Sequence, residues 1–134
     1  MVCKSLPNKM RNILEYNSYE IISSLEDGIS NIFPYVKVIT NKIYASTLIS
    51  KSGRPIVRID SKNPVKALLL QVKEDGVVIK SIVNSTSDKN LMQEIIEVFE
   101  ILPNSYKIWI DQDVSGGFWD KIIQKYPEYN WIKL

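Results

Sequence analysis

Residues 67–83 read Ala-Leu-Leu-Leu-Gln-Val-Lys-Glu-Asp-Gly-Val-Val-Ile-Lys-Ser-Ile-Val, two apolar, largely β-branched runs on either side of Lys73-Glu74-Asp75-Gly76. Runs of this length are strands, and Asp-Gly between them supplies the positive φ of a tight turn. Ala67–Val72 and Val77–Val83 are therefore expected to pair as an antiparallel hairpin.

Working back from the hairpin, the short β-branched runs Val36–Ile39, Ile43–Ile49 and Ile56–Ile59 are punctuated by Asn41-Lys42 and by Lys51-Ser52-Gly53-Arg54-Pro55, the pattern of antiparallel strands. Residues 8–33 place Met10, Ile13 and Leu14, then Ile21, Ile22, Leu25, Ile29, Ile32 and Phe33, near a 3.6-residue period. This predicts helix, with an interruption at Asp27-Gly28. A strand over Tyr19–Leu25 is the rival reading, disfavoured because its apolar residues do not alternate.

Working forward, Ser87 or Asp88 is placed to cap a helix through about Leu102, with Leu91, Ile95, Val98, Phe99 and Leu102 on one stripe. Pro103-Asn104 stops it. Tyr106–Ile110 reads as a strand, Ser115-Gly116-Gly117 opens a helix carrying Phe118, Trp119, Ile122, Ile123 and Tyr126, and Pro127 precedes a last strand over Tyr129–Leu134. The expectation is an α/β (α+β) domain spanning residues 1–134, with helices packed on a mixed, mostly antiparallel sheet.

Composition narrows the chemistry. The 134 residues, 45% hydrophobic and 24% charged, suit one globular domain. There is no histidine, which removes the commonest general base and transition-metal ligand, so no metal is expected. The single cysteine, Cys3, forms no internal disulfide. Met1–Pro7 lacks the apolar core of an export signal and no run is long enough to span a bilayer, so a cytoplasmic address without a membrane partner is expected. Heavy use of Ile, Lys and Asn is the bias of AT-rich coding sequence and points to a low-GC bacterium or its phage. The net charge of +2 is scattered and neither requires nor excludes nucleic acid.

From residue 66 onward, the order hairpin, helix, strand, helix, strand resembles the core of the GNAT N-acetyltransferase family. In that family the strand-to-helix turn carries (Gln/Arg)-x-x-Gly-x-(Gly/Ala), whose amides hold the pyrophosphate of acetyl-CoA. The corresponding turn here is Asn84-Ser85-Thr86-Ser87-Asp88-Lys89, which has no glycine and carries Asp88 on the phosphate side. The resemblance implies coenzyme contacts from Ser85, Thr86, Ser87, Lys89 and Asn90. The second family motif falls on Gln112, Ser115, Phe118-Trp119 and Lys121, with Trp119 where the family has its acidic tyrosine. An indole N–H releases no proton at useful pH, so Tyr126, the nearest phenol, becomes the candidate general acid. The implied activity is that of an acyltransferase-like domain, catalytically degenerate; the alternative is a non-catalytic protein-interaction module on the same scaffold.

Three further patterns have the residue types of other chemistries. Asp60 with Gln71-Val72-Lys73 resembles the metal-binding Asp and (Asp/Glu)-x-Lys of PD-(D/E)xK nucleases, although turn and hairpin-edge roles explain the same residues. Asp111-Gln112-Asp113-Val114-Ser115 resembles the nucleophile motif of haloacid-dehalogenase phosphatases, but too little chain follows it for that fold. Finally Trp109, Trp119, Trp131, Tyr106, Tyr126 and Tyr129 alternate with Lys107, Lys121, Lys125 and Lys133, a mixture suited to nucleic acid. Most of these rings are expected in the core.

Overall fold

The computed structural model of the chain describes residues 7–111 and 118–134, with side chains from Tyr19 onward. Cys3, the side chains of Met10, Ile13 and Leu14, and the Gln112–Gly117 segment lie outside the described residues. The elements run α1 (Pro7–Ser30), β1 (Tyr35–Ile39), β2 (Lys42–Ser46), β3 (Lys66–Lys73), β4 (Gly76–Asn84), α2 (Leu91–Val98) continued by a 3-10 turn (Phe99–Ile101), β5 (Lys107–Ile110), α3 (Phe118–Lys125) and β6 (Asn130–Lys133). The six strands form one open sheet in sequence order. β1 to β4 pair antiparallel, and β4 to β6 pair parallel.

The expected hairpin is present as β3–β4, with a bulge at Leu69/Leu70 that leaves Lys80 unpaired. Its turn departs from expectation: positive φ among the described residues falls on Thr40 (58°) and Gly53 (86°), not on Gly76. Gly76 is needed for closeness instead. A Cβ there would sit 2.2 Å from the Lys107 carbonyl oxygen and 2.8 Å from Cζ3 of Trp109.

Gly28 likewise does not interrupt its helix, since α1 runs unbroken through it. A Cβ there would come within 2.9 Å of Cγ1 of Val98. The cost of glycine inside a helix, about 1 kcal/mol, is set against close packing of α1 on α2. The strand reading of residues 19–25 is excluded, because these residues are helical.

One expected strand ends early and another is absent. β2 ends at Ser46, whose Oγ accepts the Leu48 amide at 3.0 Å and turns the chain out of the ladder. Ile56–Ile59 forms no strand; a single bridge joins Ile49 to Pro55, and Ile59 is 61% exposed. Pro55 has no amide to donate to a ladder.

The α2 helix starts later than Ser87 or Asp88 because Asp88 Oδ1 accepts the Asn90 amide at 2.9 Å, forming a turn ahead of the helix rather than its cap. Its far end tightens into the 3-10 turn. Leu102 is then extended (φ −71°, ψ 144°), as the residue before Pro103 is driven to be.

The strand register divides the sheet into two faces. One carries Val38, Ile43, Leu70, Ile79 and Ile110 in a row, and beside it Val72, Val77, Ile108 and Trp131. These residues share one core cluster with Leu25, Ile29 and Phe33, with Leu91, Ile95 and Phe99, and with Trp119. All the described helices therefore lie on this face. Handedness requires it for α2 and α3: both join parallel neighbours stepping the same way across the sheet, and right-handed crossovers then stack on one side. The other face is left without a helix among the described residues.

Candidate functional site

The 84–90 turn is held largely by its own hydrogen bonds. Asn84 Oδ1 accepts both the amide (3.0 Å) and the hydroxyl (2.6 Å) of Thr86, and Asn84 Nδ2 donates to the Asp88 carbonyl at 2.7 Å. Ser85 donates its amide to the Val65 carbonyl at 2.9 Å and accepts the Val65 amide on Oγ, extending the β3–β4 ladder by one rung. Thr86 Oγ1 accepts the Asp88 amide at 3.2 Å. Of the amides a phosphate would need, those of Ser85, Thr86, Asp88 and Asn90 are already committed. Ser87 and Lys89 are exposed and have no hydrogen-bond partner among the described residues.

Asp88 also pairs with a lysine. Its Oδ2 accepts from Lys66 Nζ at 2.8 Å, so the nearest cation is neutralised within the turn. The Lys66 ammonium, with help from the Asn90 amide, holds the Asp88 carboxyl below its ordinary value. A lowered folded-state pKa means that this contribution to stability is present above the unfolded carboxylate pKa and is lost as pH falls through the folded value. NMR titration should find Asp88 more acidic than an ordinary aspartate, and Lys66→Ala should move it back up. An unchanged titration in that variant would break the assignment.

Tyr126 stands elsewhere. It follows α3 at the end of the sheet where Gly76, Lys107 and Asn130 lie in register, whereas the 84–90 turn follows the far end of β4. The separation along β4 is about 26 Å at the usual strand rise. The Tyr126 carbonyl accepts from Nε1 of Trp131 at 2.8 Å, its ring packs on the core cluster, and Lys125 Nζ lies 5.6 Å from the ring centre. The phenol and the turn are not brought together.

The other constellations resolve into local structure. Asp60 Oδ2 accepts the amides of Asn63 (2.7 Å) and Lys62 (3.1 Å), bonds that hold its carboxyl low. It lies in the loop leading to the Lys66 end of β3, with Lys73 at the opposite end. Asp111 is paired with Lys80 at 2.6 Å; Gln112, Asp113 and Ser115 lie outside the described residues. Among the described residues, no group of three or more His, Cys, Asp or Glu could hold a metal ion, and no helix is long and apolar enough to cross a membrane.

The aromatic-lysine mixture divides between the two faces. Trp119, Trp131 and Tyr129 pack together on the helical side, Trp131 tilted against Trp119 and edge-on to Tyr129 with ring centres 6.3 Å and 5.9 Å apart, and burial raises the Tyr129 phenol above its ordinary value, Glu100 adding to the effect. Trp109 belongs to the opposite face. There the register aligns Ile39, Lys42, Gln71, Val78, Trp109 and Ile132, beside Lys37, Tyr44, Leu69 and Ser81. None of these packs on the core cluster. Lys73 Nζ and Lys107 Nζ lie 5.4 and 5.9 Å from the Trp109 ring centre, within cation–π reach. Gly76 makes room for the indole.

No family model, curated protein or solved structure matches the chain.

Three shallow depressions on the helical side are edged by carboxylates: Glu100 and Glu128 in one of about 290 Å³, Glu20 and Glu74 in one of about 420 Å³, Glu94 and Glu97 in one of about 360 Å³. The helix-free face presents lysines. The sequence contained the signal for this face in the alternation Lys107-Ile108-Trp109-Ile110 and Lys42-Ile43-Tyr44-Ala45. It did not say which of the two faces the helices would cover.

Proposed function

We propose that this chain is a non-catalytic binding module, built on the scaffold that its order from Lys66 onward resembles. One observation carries this reading: the 84–90 turn has the amides of Ser85, Thr86, Asp88 and Asn90 already bonded, and its neighbouring cation Lys66 is held by Asp88. An acyltransferase site needs free amides aimed at a pyrophosphate and a proton donor near the acyl group. Here four of the turn's amides are committed, Lys66 is paired with Asp88, and Tyr126 lies at the other end of the sheet. Acetyl-CoA, polyanionic through its phosphates, also matches poorly the carboxylate-edged depressions of the helical side.

Calorimetric titration with acetyl-CoA tests the reading, on the parent protein and on Asp88→Gly. Neither should bind, with circular dichroism showing both folded. Binding to the parent would establish the acyltransferase instead. Binding gained only in Asp88→Gly would mean that the carboxylate blocks an otherwise competent anion site, and the domain would then be a degenerate acyltransferase.

A further inference from the structure

We propose that the helix-free face of the sheet binds single-stranded nucleic acid, through Trp109 and Tyr44 as stacking platforms and Lys37, Lys42, Lys73 and Lys107 as phosphate contacts. It rests on the binding-module reading and names the partner. The register places Lys42 and Trp109 in one transverse row, Lys37 and Tyr44 in the next, and Lys73 and Lys107 in a third along the edge of the Trp109 row. Each ring thus has a lysine in its own row and at least one in an adjacent row. Spanning β1 to β6 is about 24 Å at the usual interstrand spacing, room for a few extended nucleotides.

Charge decides among occupants. Lys107 meets Asp75 at 3.5 Å with both groups largely exposed, a weak and salt-screened pair. Lys37 and Lys42 have no ion pair among the described residues. A second copy docked face to face would bring these lysines against themselves, so the face suits a polyanion. Its partly buried rings suit one that also offers flat apolar surfaces, and an unpaired base does both. Duplex hides its base faces and would satisfy the lysines alone. In the free protein Lys73 and Lys107 rest on the indole; a stacked base would replace them there and release both ammonium groups to phosphate.

The test is anisotropy titration with labelled oligo-dT and oligo-U of about 15 nucleotides, in low salt and again in higher salt. We expect saturable binding that weakens with salt, and weaker binding to a duplex of equal length. Lys73→Glu with Lys107→Glu should lower affinity about tenfold or more, as should Trp109→Ala, with Trp109→Phe retaining most of it. Lys121→Glu with Lys125→Glu, on α3, should change little, and circular dichroism checks that each variant is folded. No saturable binding by the parent, equal binding of duplex, or equal loss in the α3 variant would overturn the proposal. So would a dimer in sedimentation that the Lys73/Lys107 variant abolishes, since the face would then join two copies. Absence of both oligonucleotide and acetyl-CoA binding would overturn this inference while leaving the module reading; acetyl-CoA binding to the parent would overturn the module reading itself.

Discussion

Gly76→Ala is expected to destabilise the fold by about 3 kcal/mol, at the upper end for atoms forced into a packed site. The added Cβ would lie 2.2 Å from a backbone oxygen, that of Lys107, and no rotamer change relieves a clash with backbone. Relief requires β4 and β5 to separate where Gly76 pairs with Lys107, the first rung of the parallel ladder. That movement also strains the bond from the Lys107 amide to the Asp75 carbonyl, 2.9 Å long. The same Cβ would displace the Trp109 indole, so the variant should lose near-ultraviolet dichroism from that ring as well as stability. Urea denaturation measures the first effect. A loss below about 0.5 kcal/mol, the scale of an ordinary surface change, would mean that the strands do not approach this closely.

Phe99→Ala is expected to cost about 3–5 kcal/mol, the range for truncating a buried aromatic. Phe99 is fully buried where α2 passes into its 3-10 turn, and it shares the core cluster with residues of α1, the sheet and α3. A cavity there has walls from several elements and collapses poorly, which favours the upper part of the range. Phe99→Leu, which keeps most of the volume, should cost much less. The urea midpoint should fall without a change in slope. Equal effects from Ala and Leu would show that the ring is not packed on all sides.

Much of the architecture was legible because the signals are local. The hairpin at 67–83, the stripe of α2 and the order of the last helix and strands follow from periodicity and from Pro103 and Pro127. Boundaries were less legible where a side chain competes with the backbone: Ser46 ends β2 early, and Asp88 delays α2 by taking the Asn90 amide. Ile96 escaped the stripe reading, yet it is only 3% exposed. Gly28 and Gly76 answer to no conformational need visible nearby in sequence: each serves the approach of a residue distant in sequence, Val98 to Gly28 and Lys107 to Gly76.

The candidate site divides in the same way. Sequence identified the residues of the 84–90 turn and the mixture of rings and lysines, but not their partners. That Lys66 neutralises Asp88 follows from the pairing of β3 with β4, which carries Lys66 beside Asn84 at the mouth of the turn. That Tyr126 is far from this turn follows from α3 running back to the opposite end of the sheet.

By itself the sequence determined the helices, the strands and the alternation that separates Ile108 and Ile110 from Lys107 and Trp109, because these are encoded within a few residues. Only the tertiary structure decided which side of that alternation was covered. Val77-Val78-Ile79 is apolar toward both faces and leaves the choice open in β4. It was settled by the two right-handed crossovers through α2 and α3, which step in one direction across the sheet, put the helices on one face, and leave Trp109 among lysines on the other.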